Sequence, residues 1–224
     1  MAPSRKATVV SGFDIVRTIR RKEGDAPPSA PPPERPGGSV ALPPRRQVAC
    51  PQCGWETQIS GRPTFGVCPK CRRKFDIVDY TLDTEFQGRI ETGGAVRLAA
   101  GARVFQGEIS AAEVEIEGRV ESGRVVAWRR LTLRPGAACD PRLLQFRDLE
   151  VAEGAHLEWE GAVACRNLDV AGQVAGEFDV QQRVRLRSSG RLQGRLRCRA
   201  LQVEEGAGLL ADVVAGPDAA SPAG

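Results

Sequence analysis

Seven glycines, Gly101, Gly118, Gly136, Gly154, Gly172, Gly190 and Gly208, recur at intervals of 17, 18, 18, 18, 18 and 18 residues. A fixed period of this size means that one small unit is copied along the chain and that each copy buries its apolar face only against its neighbours. The apolar residues keep the same register. One column reads Ile90, Ile109, Val125, Leu144, Val163, Phe178, Leu196 and Val214. A second reads Val96, Val114, Leu131, Leu149, Leu168, Val184 and Leu201, and a third Leu98, Ile116, Leu133, Val151, Val170, Leu186 and Val203. A fourth reads Val104, Val120, Cys139, Leu157, Val174, Leu192 and Leu210 or Leu209. Each V-x-V doublet sets two side chains on one face of a strand, and glycine allows the bend that follows. The pattern predicts an all-β parallel β-helix over 80–215, with coils of about 18 residues stacked ~4.8 Å apart, so that roughly seven coils make a rod near 34 Å long.

Cys50-Pro-Gln-Cys53 and Cys68-Pro-Lys-Cys71 form a second unit over 50–75. Two residues between paired thiolates allow a tight turn to grip one metal, and two such turns complete a tetrahedral four-sulfur shell. The expected metal is one structural zinc per chain on Cys50, Cys53, Cys68 and Cys71. So short a segment buries too little to fold alone, whereas structural zinc contributes ~10–16 kcal/mol. Trp55 and Ile59, then Phe65 and Val67, are read as the apolar faces of two short ribbon strands. The other three thiols fall on or beside the rod columns: Cys139 in the fourth, and Cys165 and Cys198 beside Thr92, Ala111, Ala127, Phe146 and Val180. They read as inert core cysteines.

Ahead of the ribbon, residues 1–49 carry nine Arg or Lys against four acids, and 50–75 carry five against one. From 76 onward, eighteen Arg face twenty-three acids. A basic front thus joins an acidic body, which favours an electrostatic contact through the N-terminal third. Residues 5–22 mix Val9, Phe13 and Val16 with basic side chains, a weak amphipathic pattern suited to peripheral membrane contact. The Pro-rich run after Gly24 reads as linker, so 1–49 is expected to be a disordered tail and 216–224 a second one. No apolar run is long enough to cross a bilayer, and cysteines arranged for metal rather than disulfides place the chain in the cytoplasm.

No nucleophile–base pair or phosphate-cradling loop accompanies the single histidine, His156, so no catalytic residue is assigned and the chain is read as a non-enzyme. Glu113, Glu115 and Glu117 read as a solvated outer face. Trp128 and Trp159 lie off the columns, as an interaction surface or as rings buried beside a corner. Two alternatives are carried. One is a sugar-modifying or acyltransferase β-helix, which a coil-side groove of convergent acids would support. The other is a nucleic-acid-binding ribbon on a passive rod, through Arg62, Lys70, Arg72, Arg73 and Lys74, set below plain solvation of those charges.

The G-x-[IV] turn, V-x-V doublet and second glycine turn, as in FQGEISAAEVEIEGRV and QGRLRCRALQVEEGAG, resemble the bactofilins, the polymer-forming cytoskeletal family of bacteria. The resemblance covers about 130 residues and implies a right-handed β-helix that assembles end to end into non-polar filaments without nucleotide. The N-terminal zinc ribbon and Arg142, standing where other coils have glycine, depart from that pattern. The expectation is a scaffold that binds copies of itself through its terminal coils, with ribbons projecting from a linker to recruit protein partners.

Overall fold

The structure, a computed structural model, describes residues 45–61 and 63–216. The basic segment 5–22, nearly all of the Pro-rich linker, Arg62 and 217–224 lie outside the described residues.

Two short antiparallel hairpins come first, β1 (Arg45–Ala49) with β2 (Glu56–Ser60) and β3 (Phe65–Val67) with β4 (Lys74–Asp76). β1 lies inside the stretch read as linker, so the ribbon starts upstream of its first cysteine. The rod follows as β5 (Tyr80–Leu82), β6 (Glu85–Glu91), β7 (Ala95–Leu98), β8 (Arg103–Ile116), β9 (Arg119–Val120), β10 (Gly123–Leu133) and β11 (Ala138–Cys139). It continues as β12 (Leu144–Val151), β13 (His156–Val170), β14 (Gln173–Leu186), β15 (Arg191–Val203) and β16 (Gly208–Ala215). Every pairing in the rod is parallel.

The result is an all-β parallel solenoid of about 8 turns, ~17 residues each, with almost no helix. The extra turn is β5, where Tyr80 pairs with Val96 and Leu82 with Leu98. It escapes the periodicity because it has no glycine marker. The second and third columns stack as read, residue on residue, from Val96 to Leu201 and from Leu98 to Val203. The last coil corrects the first column, where Leu196 pairs with Val213, not Val214, and selects between the two residues read for the fourth, where Leu192 pairs with Leu209. That coil is one residue shorter than a strict period of 18. Leu98, Ile116, Leu133, Leu149, Leu168, Leu186 and Leu196 are all fully buried. Each contributes up to about 1.5–3 kcal/mol of transfer free energy.

Glycine is needed where one coil presses on the next. At Gly123 (φ 112°) and Gly194 (φ 115°) an added Cβ would collide with the carbonyl oxygens of Gly107 and Gly176, one coil earlier. A side chain would also be strained at such φ values. At the coil carrying Arg142 the chain avoids the problem with a 3₁₀ turn over Pro141–Leu143, where Asp140 accepts from the Arg142 N–H at 2.8 Å. Trp159 is buried beside this turn between Phe146 and Phe178, its Nε1 donating to the Cys139 carbonyl at 3.0 Å. Of its two readings, Trp159 therefore takes the core one. Cys165 and Cys198 are buried and Cys139 half-buried. Burial pushes the Cys139 and Cys165 thiols up to about 12, with Asp140 beside the first and Asp148 and Asp179 beside the second adding to the rise.

On the outside, charges link successive coils rather than merely facing water. Glu115 meets Arg97 at 3.3 Å and Arg134 at 3.1 Å, Glu113 meets Arg129 at 2.9 Å, and Asp169 meets Arg187 at 2.7 Å. Such exposed pairs are worth ~0–1 kcal/mol each, so they fix register more than they stabilise.

Candidate metal centre and its seat on the rod

Each knuckle is a closed turn at the end of a hairpin. Gly54 N–H donates to the Cys50 carbonyl and Arg72 N–H to the Cys68 carbonyl, both at 2.9 Å. Cys50 and Cys68 in turn donate to the carbonyls of Trp55 and Arg73. The residue after the second cysteine has positive φ in both knuckles, 66° at Gly54 and 59° at Arg72. The two turns bring all four Sγ atoms within 4.8 Å of one another. Cys50 and Cys71 sulfurs are 3.7 Å apart, and those of Cys53 and Cys68 3.6 Å. Four sulfurs at ~2.3 Å from a central ion lie ~3.8 Å from each other in a tetrahedron, so the four residues fit a tetrahedral metal and leave no open coordination position. Disulfide bonding, at ~2.05 Å, does not describe these distances.

The surroundings divide the thiols. Burial pushes Cys50 up to about 12 against the N–H groups of Gln52 and Cys53. At Cys68 burial acts in the same sense but is outweighed by the N–H groups of Cys71 and Lys70 and by the neighbouring thiols, and the group falls to about 7. An ion binding all four must therefore displace protons.

The interior around this cluster differs from the expected one. Val48, Phe75 and Ile77 are buried, with Ile59 packed against them, whereas Trp55 (47%), Phe65 (52%) and Val67 (62%) are exposed. The flanking strands β1 and β4 supply the core, and the centres of the hairpins face outward. Lys74 Nζ lies 4.1 Å from the Phe65 ring centroid and Lys70 Nζ 6.0 Å from that of Trp55. The exposed side is thus both aromatic and basic.

The opposite side is seated along the flank of the rod. Trp128 Nε1 donates to the Pro51 carbonyl at 3.1 Å and to Ser110 Oγ at 3.0 Å, and Ser110 Oγ donates to the same carbonyl at 2.7 Å. Arg129 Nη2 donates to Gln47 Oε1 at 2.7 Å, Arg147 pairs with Glu56, and Arg46 pairs with Asp79. Gln52 Nε2 reaches Glu91 Oε2 at 2.5 Å. The Trp128 ring covers Gly54 so closely that an added Cβ there would lie 2.8 Å from Trp128 Cζ3. Trp128 therefore takes the interaction reading, within its own chain. It can reach out because β10 carries an irregularity between Ala127 and Arg130 against both neighbouring strands. The ribbon is not suspended from a linker but fixed beside the coils.

A surface groove of about 620 Å³ runs along the rod past Asp148, Glu150 and Asp169. Its acids are engaged: Glu150 with Arg130 at 3.3 Å, Asp169 with Arg187, and Asp148 accepting from Asn167 Nδ2 at 2.8 Å. His156 is exposed on the rod, 3.2 Å from both Gln173 and Glu158. The sugar-modifying or acyltransferase reading looks to a coil-side groove of convergent acids or His, and neither His156 nor Glu158 lines this one. Among the described residues no helix is long and apolar enough to cross a membrane.

A family model described as "Bactofilin: Polymer-forming cytoskeletal" matches residues 74–160 and 147–213. The comparisons with curated proteins and with solved structures found no match.

Proposed function

The chain belongs to the bactofilins, a polymer-forming cytoskeletal family, and from that premise we propose that it is a scaffold whose rods stack end to end without nucleotide. The observation that carries the stacking is the last coil. Its edge strand β16 leaves Leu209 (37%), Leu210 (74%), Val213 (37%) and Val214 (54%) exposed, with Val203 beside it at 47%. Unpaired among the described residues, this parallel edge with its apolar cross-section is a template for another coil. Strand pairing and burial drive such growth, and neither uses a bound nucleotide.

The four-cysteine centre holds zinc as a structural ion: its all-sulfur donor set suits that metal and has no vacant position for chemistry. Zinc bound there ties the two hairpins together, and Trp128, Arg129 and Arg147 set the ribbon's orientation on the rod. The outward side of the ribbon, with Trp55, Phe65, Lys70 and Lys74, is the surface for recruiting protein partners. The setting is cytoplasmic, with 5–22 available for contact with a membrane surface.

Negative-stain electron microscopy of purified protein, with nucleotide removed, tests the assembly. Filaments that shorten to single rods in Val213→Asp support the reading. Monomers at every concentration and salt level defeat it. Metal analysis tests the centre, with one zinc per chain expected.

A further inference from the structure

The rod's charge is banded along its axis. Residues 143–182 hold eight acids against two arginines, whereas 183–203 hold seven arginines and no acid. The two bands meet on one face formed by β13 to β16. Outward-facing positions alternate there with the buried Val163, Cys165, Phe178, Val180, Leu196 and Cys198. Along one row Ala162 pairs with Glu177, Glu177 with Arg195, and Arg195 with Asp212. Along the next, Ala164 pairs with Asp179, Asp179 with Arg197, and Arg197 with Val214. Arg195 meets Glu177 at 3.1 Å, but Asp179 and Arg197 have no ion-pair partner among the described residues. Earlier on the rod this flank is occupied, since Ser110 and Trp128 there carry the ribbon.

We propose that this half of the flank, uncovered among the described residues, is a lateral contact for a second, antiparallel copy of the same chain. The inference rests on self-assembly only in taking a second copy as the occupant. It concerns the side of the rod, not its ends.

A two-fold axis lying in the contact plane, parallel to the strands and between β14 and β15, sets β14 of each copy opposite β15 of the other. Glu177 then faces Arg195 and Asp179 faces Arg197 across the contact, twice over. The same operation sets Ala162 and Ala164 against Asp212 and Val214, small side chains opposite larger ones. Parallel copies in register would instead oppose like charges, which disfavours that alternative. The overlap covers the last four coils of each rod and ends one coil short of the partner's ribbon, which Ser110 and Trp128 hold on the same flank, so a rod paired in this way is not also stacked through its last coil. A contact of this size and charge is weak and sensitive to salt.

Charge reversal tests the pairing. In a Val213→Asp background, which removes end stacking, E177R/D179R and R195E/R197E should each lose lateral pairs, measured as sedimentation at about 50 mM salt. An equimolar mixture of the two should regain them, because each acid band then meets a basic one. The fourfold swap, which keeps the pair within the chain, should also pair. Wild type should lose the pairs at about 0.5 M salt. Reversal variants that pair like wild type, or a mixture of folded variants that stays unpaired, overturn the proposal. Val213 stacks on Leu196 in the core column rather than in the contact, so pairs that persist in Val213→Asp alone distinguish this contact from end stacking.

Discussion

The ribbon and the rod solve the same problem by opposite means. The rod's core runs through every coil, so each buried side chain is supported by an equivalent one above and below. The ribbon has a small interior of Val48, Phe75 and Ile77 around four sulfurs, and its larger apolar residues point outward. One region is held by many similar contacts, the other by one centre and one seat. Damage should therefore spread in the rod and stay local in the ribbon.

The largest test breaks the rod. Leu133 and Val151 are fully buried and stacked on each other. Leu133→Asp should cost at least about 4 kcal/mol, because a carboxylate has no partner in that ladder. Thermal melting followed by circular dichroism should show loss of the cooperative β-signal, and a rod that melts like wild type would contradict the column assignment. Next comes the metal centre. Cys50→Ser with Cys53→Ser should abolish zinc binding and expose ribbon amides to hydrogen exchange, while amides of β13 to β15 stay protected. Simultaneous loss of protection in both regions would mean that the rod depends on the ribbon.

A smaller effect separates the centre from its seat. Gly54→Ala meets both a positive φ and the Trp128 ring, and should weaken docking by about 1–3 kcal/mol with the metal retained. Trp128 fluorescence reports it. Arg72→Gly, at the matching position of the other knuckle, should leave docking unchanged and relieve backbone strain by ~1 kcal/mol. The smallest is a pH effect at Asp79. Burial would raise this carboxyl, but Arg46 and the Ala95 N–H outweigh it and hold it below the usual range. A depressed carboxylate stabilises the folded state above its ordinary value, near 4, and that contribution fades as pH falls through the folded-state value. Ribbon–rod coupling should weaken on acidification through that range, and Asp79→Asn should remove the dependence.

Legibility in the sequence divided along the same line. Stacked coils repeat their environment, so the second and third columns could be read residue by residue. Only the short last coil, which moves the first-column contact to Val213, and the first coil, whose turn lacks the marker glycine, escaped. The clustering of Cys50, Cys53, Cys68 and Cys71 was legible because each Cys-x-x-Cys spacing sets two sulfurs in one tight turn. The ribbon's interior was not, because Val48 and Ile77 come from outside the cysteine interval. The seat was not either. Glu113 and Glu115 gave no sign of their arginines until the coils were laid in register, with Arg97 one coil before Glu115 and Arg134 one after. Trp128 offered one clue, an aromatic off the columns beside an extra residue, but nothing pointed it toward Gly54.

The 3₁₀ turn at Pro141–Leu143 bears on how such a chain tolerates change. It sits at the corner between the fourth and first columns, where three residues separate Val174 from Phe178, four separate Val104 from Ile109, and five separate Leu157 from Val163. The columns stay stacked in spite of these differences. That corner therefore acts as an expansion joint: length added there is absorbed outside the core. A short epitope or fluorophore-binding peptide inserted after Arg142 should leave the solenoid intact, offering a place to label the protein away from its ends and its ribbon.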